Sequence, residues 1–122
     1  MILYLYSKCS TCQTALQFLK KCDVDIAVKE IVQEPPTVAE LQQMLQFQKG
    51  NLKKLLNTSG LLYREMQLSL KLKDMSVEEV LVLLSQHGML VKRPFLIADH
   101  FGLTGFNEAE WAQFLVKSAL VD

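Results

Sequence analysis

Two cysteines two residues apart, in the run Cys9-Ser10-Thr11-Cys12, stand directly after the apolar stretch Ile2-Leu3-Tyr4-Leu5-Tyr6 and directly before a helical stretch from Gln13 to Leu19. A thiol at a strand-to-helix junction faces the free N–H groups of the helix's first turn, whose partial positive charge favours thiolate over thiol. The pKa falls, and the more exposed cysteine becomes a nucleophile. Cys12 lies one helical turn further on, on the same face, at a separation that a disulfide spans. The chemistry implied is a reversible Cys9–Cys12 bridge. Cys22, the odd cysteine, fits no paired framework and reads as a helix-end or core thiol.

The other polar candidates are weaker. Lys8 adjoins Cys9, but a flexible lysine on a loop is usually solvated. His87 and His100 lack metal-ligand spacing to the cysteines, and a zinc site built on two cysteines would need two more ligands. No metal is expected. Lys49, Lys53 and Lys54 gather near Gly50, either as a local basic patch for a partner or, the stronger reading, as a solvated helix face.

The elements that must position the cysteines follow from periodicity. Ile2 to Tyr6 reads as a buried strand, Gln13 to Lys21 as a helix with Ala15, Leu16, Phe18 and Leu19 on one side, and Ile26 to Ile31 as a second strand, with Ile26 and Val28 inward and Ala27 and Lys29 outward. This opening is β-α-β, and its short crossover favours a parallel pair. Pro35-Pro36 closes it. Thr37-Val38-Ala39-Glu40 and Ser76-Val77-Glu78-Glu79 are capping boxes, each opening an apolar-striped helix, with short helical pieces around Leu52 to Leu56 and Leu61 to Met66 between them. Gly88 is placed for the C-terminal turn of the second of those helices. Phe95 to Ala98 and Leu103-Thr104 read as a hairpin around Asp99 to Gly102, and Asn107 starts a final helix carrying Trp111, Phe114 and Leu115.

The order β-α-β, helical insert, β-β-α, with CxxC at the first strand-to-helix turn, describes an α/β thioredoxin-like (glutaredoxin-like) fold. It has a four-stranded mixed sheet, flanking helices and an all-helical insert. The expected division is one domain over residues 1–122, with sheet-forming halves at about 1–34 and 89–122 and the insert at about 35–88. Pro94, lacking an N–H, belongs at the first residue of the third strand. In that fold this proline is cis and faces the redox cysteine, so Arg93 beside it would set a cation against Cys9 to stabilise thiolate or an anion.

Composition bounds the partners. At 122 residues the chain can bury a core without crosslinks or metal. Thirteen basic and thirteen acidic side chains cancel, which gives no argument for a nucleic-acid or membrane surface. With no apolar run of membrane-spanning length and no basic leader before a cleavage site, a cytoplasmic protein is expected. In that reducing setting a CxxC is catalytic or regulatory rather than a structural staple.

The chain resembles the ArsC/Spx family, which joins arsenate reductases and Spx-type regulators. The resemblance is carried by Tyr6-Ser7-Lys8-Cys9-Ser10-Thr11-Cys12, Pro35-Pro36-Thr37, Leu55-Leu56-Asn57-Thr58-Ser59-Gly60 with Tyr63-Arg64, Lys92-Arg93-Pro94 and Gly105-Phe106-Asn107-Glu108. It implies Cys9, Cys12 and Arg93 as the catalytic set, with Lys8, Ser10, Thr11, Asn57, Arg64 and Pro94 binding an anion or shaping the site. In the family's reductases the cysteine matching Cys9 attacks arsenic and three arginines hold the oxyanion. Here only Arg93 matches; the second position falls at Asn57 and the third near Gly105, with Arg64 or Lys8 as partial replacements. A dianion loses bidentate, charge-assisted contacts on that exchange, so efficient arsenate turnover is not expected. Cys12 points toward the Spx-like branch, whose members often carry CxxC. The implied partners are a thiol reductant, either glutathione with glutaredoxin or thioredoxin. The alternative is a regulator that binds the C-terminal domain of the RNA polymerase α subunit through a surface including Gly50. No bound cofactor and a monomer are expected.

Overall fold

Alternation along the first strand decides what each side of the sheet buries. In β1 (Ile2–Leu5), Leu3 and Leu5 face one layer and Tyr4 the other, as the two-residue period of a strand requires. The computed structural model describes residues 1–121, with side chains through Leu115. β1 runs parallel to β2 (Ala27–Glu30), with Leu5 opposite Glu30, and antiparallel to β3 (Phe95–Ile97), with Leu3 opposite Leu96. β3 pairs with β4 (Gly102–Thr104), Phe95 facing Thr104, so the sheet order is β2-β1-β3-β4. This is the mixed four-stranded sheet with flanking helices that the motif order describes.

On one side of the sheet, Leu3, Leu5, Leu96 and Leu103 pack with Cys12, Ala15 and Leu19 of α1 (Ser10–Cys22) and with Trp111 and Leu115 of α6 (Glu108–Val121). On the other, Tyr4, Phe95 and Ile97 meet Leu41 and Met44 of α2 (Val38–Phe47) and Val80, Leu81 and Leu84 of α5 (Val77–Gln86). Both capping boxes form in full: Thr37 and Ser76 each accept from the third helical amide while Glu40 and Glu79 return a bond to the cap's own N–H. Between α2 and α5 the chain makes a 3-10 turn at Leu52–Leu55, α3 (Leu61–Glu65), α4 (Leu68–Lys71) and a 3-10 turn at Leu72–Asp74.

Three details differ from the periodicity. Val28 is 48% exposed rather than inward, because β2 is an edge strand. Residues 68–74 are helical although no cap or long apolar stripe announces them. Gly88 does not turn α5 through the left-handed region. It opens a 3-10 turn, Gly88–Leu90, and is needed because a Cβ there would lie 1.8 Å from the Ile31 carbonyl oxygen.

Candidate active site

α1 begins three residues earlier than its apolar stripe, because Cys9 itself is the N-cap. Its backbone is extended (φ −96°, ψ 117°), and its sulfur accepts the Cys12 N–H at 3.4 Å. No acidic residue occupies the first turn, so nothing there opposes a thiolate. The loop between β1 and α1 is clamped at Ser7: its N–H donates to Glu30 Oε2 at 3.2 Å, and its carbonyl accepts from Gln13 Nε2 at 3.1 Å. The Cys9 N–H closes the turn onto the Tyr6 carbonyl at 3.0 Å.

Arg93 enters from the opposite end of the chain. The Arg93–Pro94 peptide bond is cis, and the Gly105 N–H donates to the Pro94 carbonyl at 2.9 Å, tying the turn to the end of β4. The guanidinium lies over the Tyr6 ring, 5.1 Å from its centroid, which is cation–π geometry. Its positive charge favours the Cys9 thiolate. Its Nε and Nη1 are buried and have no hydrogen-bond acceptor among the described residues.

The two thiols are set in opposite directions. Burial pushes the Cys9 thiol up, but hydrogen bonds from the Cys12 thiol and amide, followed by Arg93's charge, outweigh it and hold Cys9 below the ordinary thiol range. Cys12 is wholly buried, and that burial, with the neighbouring Cys9, pushes it up to about 12 against an opposing bond from the Tyr6 backbone. Cys22 is raised by burial alone. All three are free thiols. At neutral pH Cys9 is therefore the one set to attack, with a protonated Cys12 beside it.

The other expected site residues divide between the cleft and the periphery. Lys8, Ser10 and Thr11 are exposed around Cys9. With Tyr6, Ser7, Glu30, Val32, Gln33 and Met89, Lys8 lines a cavity of about 400 Å³. The Asn57 side chain is directed at backbone, donating to the Met89 carbonyl at 3.4 Å while its own N–H reaches the Leu90 carbonyl at 2.8 Å. Arg64 is exposed on α3. Gly50 (φ 80°) is exposed in the turn after α2 with nothing near its Cβ position. Tyr6, Gln13 and Glu30 were not singled out from sequence. Glu30 reaches the loop only because the β1–β2 register sets it opposite Leu5, a signal visible once the parallel pair is drawn. Among the described residues no group of three His, Cys, Asp or Glu side chains could hold a metal ion, and no helix is long and apolar enough to cross a membrane.

Sequence and fold are both shared with known proteins. The family model for the ArsC family matches residues 4–114. YusI of Bacillus subtilis, an uncharacterized protein, is 38% identical over 110 residues, spanning 90% of this chain and 93% of that protein. The global transcriptional regulator Spx 2 of Bacillus cereus is 27% identical over 118 residues, 97% of this chain and 88% of the regulator. Among solved structures, that of a possible arsenate reductase from Streptococcus mutans superposes with a TM-score of 0.83 at 35% identity, over 93% of this chain and 97% of that one.

Proposed function

The chain belongs to the ArsC family, and from that premise we propose that it is a cytoplasmic thiol redox protein, an arsenate reductase-like oxidoreductase whose oxyanion site retains one arginine. Cys9 is the nucleophile and Cys12 the resolving thiol. The observation that carries this reading is the opposite setting of two thiols joined by one helix cap, Cys9 lowered and Cys12 raised. Cys9 thiolate attacks an oxidised substrate, Cys12 displaces the product to close the internal disulfide, and an external reductant of the glutathione, glutaredoxin or thioredoxin class reopens it. Arg93 stabilises the attacking charge. The test is mass spectrometry of reduced protein mixed with a small disulfide. Cys12→Ser should accumulate a mixed disulfide on Cys9, whereas the unmodified chain passes on to the Cys9–Cys12 bridge. Adducts spread equally over Cys9, Cys12 and Cys22 would sink the mechanism.

A second reading, a redox-sensing regulator that contacts the C-terminal domain of the RNA polymerase α subunit, is favoured by the likeness to a relative named as a global transcriptional regulator. The open, exposed Gly50 turn is the surface it would use. Binding that changes between the reduced and disulfide forms would support it, and binding indifferent to redox state would remove the switch.

A further inference from the structure

Lysines from two distant parts of the chain converge on one concave surface away from the cysteines. Lys53 and Lys54 belong to the 3-10 turn Leu52–Leu55, and Lys92 comes from the segment that leads into β3. Backbone links hold the two segments together: Leu56 and Val91 form an isolated antiparallel bridge, and the Lys92 N–H donates to the Leu55 carbonyl at 2.9 Å. With Asn51, Leu56 and Thr58, the three lysines line a cavity of about 260 Å³. None of these lining residues is acidic, and among the described residues no lysine side chain of the three enters an ion pair or hydrogen bond. Thirteen basic and thirteen acidic side chains balance over the whole chain, so this is a local excess of positive charge. Water hydrates each ammonium but carries no charge to offset their mutual repulsion; a bound anion does.

The donor types narrow the anion. Arginine's planar fork matches a carboxylate, whereas lysine is a compact point charge with three rotatable donors, suited to the spread oxygens of a tetrahedral phosphate. Asn51 precedes the 3-10 turn without capping it through its side chain, which leaves its amide free for a ligand, and the Thr58 hydroxyl is exposed. Buried Leu56 supplies an apolar wall. The cavity of about 260 Å³ holds the volume of roughly nine waters at about 30 Å³ each. It is smaller than the pockets of about 300–1,000 Å³ that enclose drug-sized ligands. A phosphate carrying a few carbons fits this description better than a nucleotide. Lys92 and Arg93 adjoin in sequence but diverge: the Arg93 guanidinium lies over Tyr6, whereas the Lys92 stem runs past Gly105, its Cε 3.1 Å from where a Cβ would stand there.

We infer that this cavity is a binding site for a small phosphate monoester, with Lys53, Lys54 and Lys92 neutralising the dianion, Asn51 and Thr58 donating to its oxygens, and Leu56 against the carbon portion. Binding here uses none of the residues assigned to the thiol chemistry and stands or falls independently of it.

The experiment is an amide NMR titration of the reduced full chain at constant ionic strength with glycerol 3-phosphate, inorganic phosphate, succinate and a short DNA duplex. Glycerol 3-phosphate should give saturating shifts at Asn51, Lys53, Lys54, Thr58 and Lys92, with succinate about tenfold weaker or worse. Lys54→Gln and Lys92→Gln should each weaken glycerol 3-phosphate by about tenfold, the scale of one hydrogen bond to a charged group. Lys71→Gln, an exposed change on α4, should leave it unchanged. Lowering the pH from 7.5 to 5 should weaken it by about tenfold, because a phosphate monoester takes up its second proton near pH 6. Non-saturating shifts shared equally by succinate would reduce the lysines to a solvated face. Shifts centred on Tyr6 and Cys9, or affinity untouched by Lys92→Gln, would move the anion out of this cavity. Inorganic phosphate binding as tightly as glycerol 3-phosphate would overturn the monoester in favour of the free ion, and saturation by the duplex alone would overturn the small ligand altogether.

Discussion

The helix openings of the insert and the opening of α1 solve the same problem in different ways. At α2 and α5 an oxygen cap accepts an amide at 3.1 Å and the glutamate three residues on returns a bond to the cap, so the exchange is reciprocal. At α1 the cap is a sulfur at 3.4 Å, and the residue three positions on is another cysteine, which returns no such bond to the cap's backbone. A neutral thiol is a poor acceptor; a thiolate is a good one. The insert's caps contribute stability at any ordinary pH, whereas the α1 cap becomes effective only when Cys9 is ionised. Arg93 extends the contrast. Among the described residues no wholly buried residue is polar or charged, yet beside Cys9 the guanidinium Nε and Nη1 are buried with no protein acceptor.

The contrast can be broken by exchanging the caps' chemistry. Cys9→Ser gives α1 an oxygen cap like those of the insert. Fast alkylation at neutral pH should disappear, leaving the slower Cys12 and Cys22, both of which burial holds above the ordinary thiol range. In denaturant melts at acidic pH, where Cys9 is a neutral thiol, the variant should be as stable as the parent or more stable by a few tenths of a kcal/mol, since serine is the better cap. The reciprocal change, Thr37→Ala, should lower stability by about 1 kcal/mol and leave Cys9 alkylation unchanged. A cap loss at α2 that also slowed Cys9 would show that the two regions are not separate.

Much of this division was legible from residue order. Capping boxes are local signals, satisfied within four residues, so Thr37–Glu40 and Ser76–Glu79 announce their helices without any tertiary knowledge. The CxxC at a strand-to-helix junction and the proline before β3 likewise place Cys9, Arg93 and Pro94. What was not legible depends on distant neighbours. Val28 reads as inward from alternation, but edge position left it exposed. Gly88 reads as a helix stop, while its requirement comes from the Ile31 backbone, more than fifty residues away. Tyr6 under Arg93 and Glu30 clamping Ser7 exist only once β3 and β2 dock on either side of β1. Arg93's idle donors are a property of the packed site, and no spacing in the chain reports them.

The most direct measurement is the pH dependence of alkylation at each cysteine, followed by mass spectrometry of the separated peptides, in the native chain and in Arg93→Met. Thiolate reacts and thiol does not, so each rate rises with pH and levels off above that group's pKa. The account predicts that Cys9 levels off below the ordinary thiol value of about 8.5, that Cys12 is still rising at pH 10, and that Arg93→Met moves the Cys9 curve to higher pH without moving Cys22. Cys9 and Cys12 titrating together in the ordinary thiol range, unmoved by the loss of Arg93, would contradict it.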